Sequence, residues 1–312
     1  MTWTGRALGS PIRLTVRVPD RDGAGQSTAP AWAAVVDELS AVDAALSRFR
    51  DDSELTALNR RAGSGASVPV SRRLRVLLAT AERARRMTDG RFDARVVAAL
   101  ERLGEPGADP TSDGASSQVA PVTGGGVTVR VPDVPIDSGG IGKGLALRWA
   151  AARAIALLPG GGGLLLDGGG DLVAEGSPPE GGWSIGVEDP VASDPALTDP
   201  VAVLRLERGA VATSSVAVRR WISPDGRPVH HLLDPRTGEP ARTDLLAVTV
   251  AARDPAWAEV WTKALFIAGR AGIAREARAR GLAAWWIDDR GALGMTPAAR
   301  VRTAWAAEAR QN

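Results

Sequence analysis

The second half of the chain contains short apolar runs separated by glycine and proline, and one early helix interrupts them. Runs of this length that are rich in Val, Leu and Ile predict strands. The strands are predicted over Val127–Val131, Leu164–Leu166, Trp183–Val187, Val201–Leu206, Val216–Ile222 and Leu245–Val250. The embedded helix is predicted over Lys143–Leu158. Strands and helices that are segregated rather than alternating favour an α+β fold over a doubly wound sheet.

Both ends of the chain predict helices together with single strands. Alternating apolar and polar residues over Ile12–Val18 indicate a half-buried strand, and apolar residues at helical spacing follow over 32–49. Ser71 is placed to cap a second helix, because its hydroxyl can accept a hydrogen bond from the first helical turn. The C-terminal part predicts helices over Pro255–Ala268 and Ala271–Arg280 and a strand over Ala283–Ile287.

One segment of low hydrophobicity, Gly104–Gly126, interrupts this pattern. It consists mainly of Gly, Pro, Ser, Asp and Thr and has almost nothing to bury. Such a composition is typical of a mobile surface insertion. We find no internal repeat, and we expect a single domain over residues 1–312 that carries this insertion.

The composition excludes several classes of function. The 38 basic residues nearly balance the 36 acidic ones, and the formal charge of +2 does not indicate nucleic-acid binding. The absence of cysteine excludes disulfides, thiolate catalysis and cysteine-ligated metals. We find neither an apolar signal core nor a run of about 18 apolar residues, and therefore expect a cytoplasmic protein without stable membrane insertion.

The rarest charged residues lie in the most unusual motifs. Of the 38 basic residues only Lys143 and Lys263 are lysines, and the only histidines are His230 and His231. A lysine kept in a chain that otherwise uses arginine indicates a position that needs a compact ammonium group.

Lys143 belongs to the glycine-rich stretch Asp137–Gly144, which lies between a strand-like run and a helix. Glycines before a helix N-terminus let backbone N–H groups approach a phosphate, and a lysine adds positive charge. The spacing is neither that of a Walker A loop nor GxGxxG. An ordinary glycine-rich turn is the alternative.

A second glycine-rich stretch, Gly168–Asp171, follows the apolar run Leu164–Leu166. Three glycines before an aspartate allow close approach of the backbone to a ligand or to another strand. A tight hairpin explains them equally well.

The two histidines precede the stretch Leu232–Pro240. Histidine is the side chain that exchanges a proton near pH 7, and Asp234 could orient it or bind a neighbouring group. Adjacent residues of a strand point to opposite faces, so the two cannot easily share a metal ion. We expect one histidine to face a site and the other to face away.

Glu259 and Lys263 are four residues apart on the helix predicted to begin at Pro255. An exposed salt bridge is the commonest meaning of that spacing. The apolar neighbours Trp261 and Leu265 leave a functional role open as well.

Taken together, these stretches resemble the FAD:protein FMN transferase family, often called ApbE. Eight motifs occur in the order of the family along nearly the whole chain, which is far more specific than any one of them. They are Leu8–Ser10, Ser47–Asn59, Thr88–Asp93, Asp137–Ala146, Gly169–Asp171, Trp183–Pro190, Val211–Ser215 and His230–Pro240.

The resemblance implies an α+β fold of the ApbE type, T-fold-like, with a mixed sheet packed with helices. It also implies an enzyme that binds FAD and, with Mg²⁺, moves FMN onto a Thr or Ser hydroxyl and releases AMP. The acceptor would be a partner flavoprotein with an FMN-binding domain. An FAD pyrophosphatase that yields FMN and AMP, or a catalytically weakened FAD-binding protein, remain alternatives.

The resemblance also assigns residues. His231 takes the place of the family's proposed base, and Gly140 (by its carbonyl) and Glu259 take those of metal ligands. Lys263 stands where the family has a threonine ligand, and an ammonium has no lone pair for a metal. We expect Lys263 to bind the FAD pyrophosphate, in place of part of the metal's charge or beside a more weakly held ion. The remaining FAD-contacting positions are Leu8, Phe49, Arg91, Phe92, Asp93, Asp137, Lys143 and Leu232.

Overall fold

The structure, a computed structural model, describes residues 1–19, 27–107, 127–192 and 198–307. Most of the insertion predicted over Gly104–Gly126 therefore lies outside the described residues. The strands are β1 Thr2–Ala7, β2 Ser10–Arg17, β3 Ser67–Val70, β4 Val127–Arg130, β5 Gly163–Gly168, β6 Asp171–Gly176, β7 Trp183–Val187, β8 Ala202–Leu206, β9 Gly209–Ser215, β10 Arg220–Ile222, β11 Pro228–His230, β12 Leu233–Asp234, β13 Glu239–Pro240, β14 Leu245–Ala252, β15 Ala283–Asp288, β16 Leu293–Met295 and β17 Thr303–Ala306. The helices are α1 Ala29–Leu46, α2 Glu54–Asn59, α3 Arg72–Met87, α4 Val97–Arg102, α5 Gly142–Ile155, α6 Pro255–Ala279 and α7 Pro297–Arg300.

Eight of these strands form one sheet in the order β1-β2-β5-β6-β9-β14-β15-β16, and its pairings are antiparallel. Successive side chains of a strand point to opposite faces. Leu164 and Leu166 of β5 accordingly lie in the core on one face, whereas Leu165 packs against the core on the other. The sheet is therefore covered on both sides.

Helices cover one face of the sheet and a small sheet covers the other. Val35 and Leu39 of α1 and Leu145 of α5 are fully or almost fully buried in the helical layer, where α6 packs against β9 and β14. The opposite layer is the three-stranded sheet β17-β8-β7, which packs over the fully buried Trp285 of β15. This arrangement confirms the predicted α+β class. Among the described residues, no helix is both long and apolar enough to cross a membrane.

Local signals in the sequence predict several boundaries correctly. Ser71 is the N-cap of α3, and its hydroxyl accepts the Leu74 N–H at 3.3 Å. Gly269, with φ 68° and ψ 172°, breaks the helical path inside α6. The break lies between the two helices predicted over Pro255–Ala268 and Ala271–Arg280.

The strand predicted over Val216–Ile222 is wrong for its first half, which forms a turn before β10. The strand β9 (Gly209–Ser215) lies just before it, at the centre of the main sheet. Its small residues have weak strand propensity. Pairing with β6 on one side and β14 on the other outweighs that propensity.

Candidate active site

A cleft of about 840 Å³ opens beside the N-terminus of α5 and the first turns of α6. A second, narrow cavity of about 60 Å³ shares Gly139, His231 and Lys263 with the cleft, so the two meet at these residues. The cleft has the size of a site for a cofactor-like ligand.

All residues that the family resemblance assigns to the site line one cavity or the other. Leu8, Phe49, Lys143 and Glu259 line the cleft, whereas Arg91, Phe92, Asp93, Asp137, Gly140 and Leu232 line the narrow cavity, and His231 and Lys263 line both. Six different segments of the chain therefore converge on one place.

Two hairpin tips border the cleft. Leu8 and Gly9 connect β1 to β2, Gly169 and Gly170 connect β5 to β6, and all four have positive φ. Two-residue hairpin turns require this backbone, which glycine adopts freely. For Leu8, with φ 52°, it costs about 1–3 kcal/mol, and such strain is concentrated at functional sites. The Gly169 N–H donates to the Pro11 carbonyl at 3.0 Å, which holds the tips together.

Lys143 forms an ion pair with a buried carboxylate at the start of α5. Its ammonium nitrogen lies 2.8 Å from Oδ2 of Asp171, which is 3% exposed and follows the Gly169-Gly170 turn. Burial alone would lower the pKa of Lys143, but the carboxylates of Asp171 and Glu259 outweigh it and raise this pKa. Lys143 therefore stays charged at neutral pH.

Glu259, which is 1% exposed, links α6 to the N-terminus of α5. Its Oε2 accepts the Gly144 N–H at 2.8 Å, and its Oε1 lies 3.4 Å from the Lys263 ammonium. A carboxylate is favourable at this end of a helix, where N–H groups lack intrahelical partners. Burial raises the pKa of Glu259, and the nearby charge of Lys263 opposes the rise.

Two glycines of the Asp137–Gly144 stretch are needed for packing inside the protein. A Cβ on Gly144 would lie 2.5 Å from the Ala256 Cα. A Cβ on Gly140 would lie 2.7 Å from the Phe92 ring and 3.3 Å from Cδ of Lys263. The missing side chains thus let α6 approach α5 at Gly144 and let the Lys263 stem approach the backbone just before α5 at Gly140.

His231 is held by the backbone of the neighbouring segment. Its backbone N–H and its Nδ1 both lie 3.2 Å from the carbonyl oxygen of Arg219. A carbonyl only accepts hydrogen bonds, so Nδ1 carries the hydrogen and Nε2 carries the lone pair. Within the described residues Nε2 has no hydrogen-bond partner, which leaves it available as a base.

Asp234 and His230, the two neighbours of His231 considered in the sequence, take different positions relative to the site. Asp234 does not orient the imidazole, because its carboxylate pairs with Arg236 at 2.6 Å. His230 faces away from the cleft and packs edge-on against Phe266, with ring centroids 6.3 Å apart. The two adjacent histidines therefore have different roles.

We predict that neither imidazole titrates near pH 6.5. Burial and the positive charges of Arg219 and Lys263 lower the pKa of His231 to about 3, and burial also lowers the pKa of His230. An NMR pH titration of the side-chain nitrogens should show neutral His231 down to about pH 4.

The same shift makes stability depend on pH. The unfolded chain binds this proton near pH 6.5 and the folded chain only near pH 3, so the free energy of unfolding should fall as pH is lowered through that window. Measured by urea unfolding, the free energy of unfolding of His231→Gln should decrease less between pH 7 and pH 5 than that of wild type. A His231 imidazole that titrates between pH 6 and 7 would contradict this prediction. So would an equal decrease in the free energy of unfolding of wild type and His231→Gln.

Sequence reasoning missed Glu105, Arg48 and Arg219 at the junction of the cavities. The Glu105 carboxylate, 4% exposed, pairs with both guanidinium groups, and Arg48 Nε donates to Asp137 Oδ1 at 3.0 Å. Glu105 belongs to the first residues of the predicted surface insertion, so this part of the segment is not peripheral. Its composition gave no signal of burial, whereas Arg48 lies inside the Ser47–Asn59 motif.

Comparisons with known proteins identify the family of the chain. The ApbE family model matches residues 8–286. The chain is 27% identical to the FAD:protein FMN transferase of Escherichia coli over 81% of this chain and 75% of that protein. It is 30% identical to the FAD:protein FMN transferase of Treponema pallidum over 72% of this chain and 67% of that protein. The crystal structure of the ApbE protein from Thermotoga maritima superposes with a TM-score of 0.80 at 25% identity, covering 98% of this chain and 99% of that one. The chain belongs to the ApbE family.

Proposed function

We propose that the protein transfers FMN from FAD to a Thr or Ser hydroxyl of a partner flavoprotein and releases AMP. The observation that carries the proposal is Nε2 of His231, to which no described residue is hydrogen-bonded, beside the ammonium of Lys263 at the junction of two cavities. The relatives named FAD:protein FMN transferase support the same activity.

The cleft suits a dinucleotide that is anionic in the middle and aromatic at its ends. Lys143, Lys263 and Arg219 bring cationic hydrogen-bond donors to its inner part, where each is also paired with a carboxylate. Phe49 and Val218, which are 43% and 82% exposed, line it as apolar side chains. Exposed apolar groups at a cleft are typical of surfaces that a ligand or a protein partner covers. The pyrophosphate of FAD fits against these donors.

The transfer displaces one phosphoryl oxygen by another. The acceptor hydroxyl oxygen forms a bond to the flavin-side phosphorus, and the bond from that phosphorus to the bridging oxygen breaks. AMP leaves with the electron pair of the broken bond. Nε2 of His231 takes the hydroxyl proton, and the bound pyrophosphate favours this because its negative charge counters Arg219 and Lys263, which lower the imidazole pKa in the free protein. Lys143 and Lys263 stabilise the charge that develops on the phosphoryl oxygens.

The magnesium ion that the family resemblance implies does not fit the side chains around Gly140 and Glu259. One oxygen of Glu259 accepts the Gly144 N–H, and the other faces the Lys263 ammonium. A divalent cation would also be repelled by the ammonium. The steps above therefore involve no metal.

Product analysis tests the proposal. The protein is incubated with FAD, MgCl₂ and a purified FMN-binding domain, and the acceptor mass and the released nucleotides are measured. FMN transfer predicts a mass gain on the acceptor matched by an equal amount of AMP. Free FMN and AMP without a mass gain would indicate a pyrophosphatase. Tight FAD binding without either product would indicate a binding protein.

Glu105→Gln is expected to lower the Kd for FAD about tenfold. Its carboxylate pairs with Arg48 and Arg219 beside the proposed pyrophosphate position, where a negative charge opposes an anionic ligand. Glutamine removes the charge but still accepts hydrogen bonds from the arginines. Asp51→Asn makes the same charge change at a fully exposed carboxylate. Flavin fluorescence titration should show tighter binding only for Glu105→Gln, and unchanged or weaker binding would refute this role.

A further inference from the structure

Lys263 lies between the two groups from which a metal ligand set would be built. Its Cδ and Cε lie 3.3 and 3.4 Å from where a Cβ of Gly140 would be, so the stem runs along that backbone. Its Nζ reaches Glu259 Oε1 at 3.4 Å. The Lys263 side chain thus lies between Gly140 and Glu259.

The charges around Lys263 are already balanced. Lys143 pairs with Asp171 at 2.8 Å, and Lys263 pairs with Glu259. Two ammonium groups therefore face two carboxylates. This cluster has no excess negative charge to attract a divalent cation, whereas magnesium sites are built from carboxylates together with substrate phosphates.

The next residue does not replace the missing oxygen ligand. Thr262 is fully buried, and its hydroxyl lies 2.7 Å from Ser214 Oγ and donates to the Glu259 carbonyl at 2.8 Å. Both of its hydrogen-bonding roles are used inside the protein. Thr262 also lines neither cavity, unlike Lys263.

We propose that the Lys263 ammonium replaces a divalent cation in this chain, so that FMN transfer needs no metal ion. This inference rests on the proposed transferase function. The side chain of Lys263 is 17% exposed and lines both cavities, so its ammonium can contact a phosphate oxygen at their junction. There it neutralises charge on the pyrophosphate and donates hydrogen bonds to the departing AMP phosphate without giving up a proton.

The test compares wild type with Lys263→Thr and Lys263→Met, each with EDTA and with MgCl₂. Wild-type transfer should change less than about twofold between the two conditions. In EDTA the transfer rate of both variants should be about 10²-fold below that of wild type, as expected when one charge-stabilising donor is removed. MgCl₂ should raise the transfer rate of Lys263→Thr about tenfold or more, because threonine supplies an oxygen ligand. It should not change the transfer rate of Lys263→Met.

A second readout does not depend on activity. Electron paramagnetic resonance of Mn²⁺ measures the ion bound by the FAD-loaded protein, with FAD alone as the blank. Wild type should bind no more Mn²⁺ than the blank, and Lys263→Thr should bind one equivalent. A tenfold or larger loss of wild-type transfer in EDTA, or stoichiometric Mn²⁺ on wild type, would overturn the inference and leave the proposed function intact. Absence of transfer from wild type in both conditions would instead overturn the proposed function, and the Mn²⁺ measurement would still decide the inference.

Discussion

His231→Ala should lower the rate of FMN transfer about 10²–10⁴-fold, the usual contribution of a general base. The Arg219 carbonyl fixes the imidazole with its lone pair on Nε2, and alanine removes the group that takes the hydroxyl proton. The Kd for FAD should change less than about threefold, because the cationic groups of the cleft remain. Single-turnover kinetics with a purified acceptor domain separate the chemical step from FAD binding.

His230→Gln is the matched control, because this neighbouring imidazole packs against Phe266 and does not line either cavity. Transfer should stay within a few-fold of wild type. If His231→Ala retained transfer, or if both variants lost it equally, His231 would not be the base.

Gly144→Ala should destabilise the protein by about 3 kcal/mol or more. The added Cβ would lie 2.5 to 2.6 Å from backbone atoms of Pro255 and Ala256, where no side chain can move aside. Helices α5 and α6 must separate, and overpacking alone costs about 1–3 kcal/mol. Separation also strains the buried hydrogen bond from Gly144 N–H to Glu259, which adds to the loss.

Urea unfolding measures this loss, and FMN transfer should fall with it because α5 carries Lys143. Gly160→Ala is the control, since a Cβ at Gly160 meets nothing within 4 Å and its φ is not positive. The control should change the free energy of unfolding by less than about 1 kcal/mol. A Gly144→Ala protein as stable as the control would show that the helices are not held at this distance.

Elements with a local signal were predictable from the sequence. The hydroxyl of Ser71 and the apolar spacing that follows it predict α3, and the alternation over Ile12–Val18 predicts β2. The strand β9 was missed because its stability comes from pairing with β6 and β14 rather than from its own residues. Local composition cannot reveal such non-local pairing.

The candidate site was likewise predictable only in part from the sequence. The motifs predict which residues gather, because rare lysines and histidines mark positions that tolerate one side chain. They do not predict what each glycine contacts, since Gly144 approaches α6 rather than a ligand. Nor do they predict Glu105, whose burial depends on two arginines far away in the sequence. Contacts of this kind exist only after folding.

In the proposed site His231, Lys143 and Lys263 surround the pyrophosphate of FAD. A crystal structure of the protein with FAD measures this directly. We predict a phosphate oxygen about 2.7–3.2 Å from the Lys263 ammonium and His231 Nε2 facing the flavin-side phosphorus. A pyrophosphate bound outside the junction of the two cavities, with Lys263 and His231 free of it, would contradict the account.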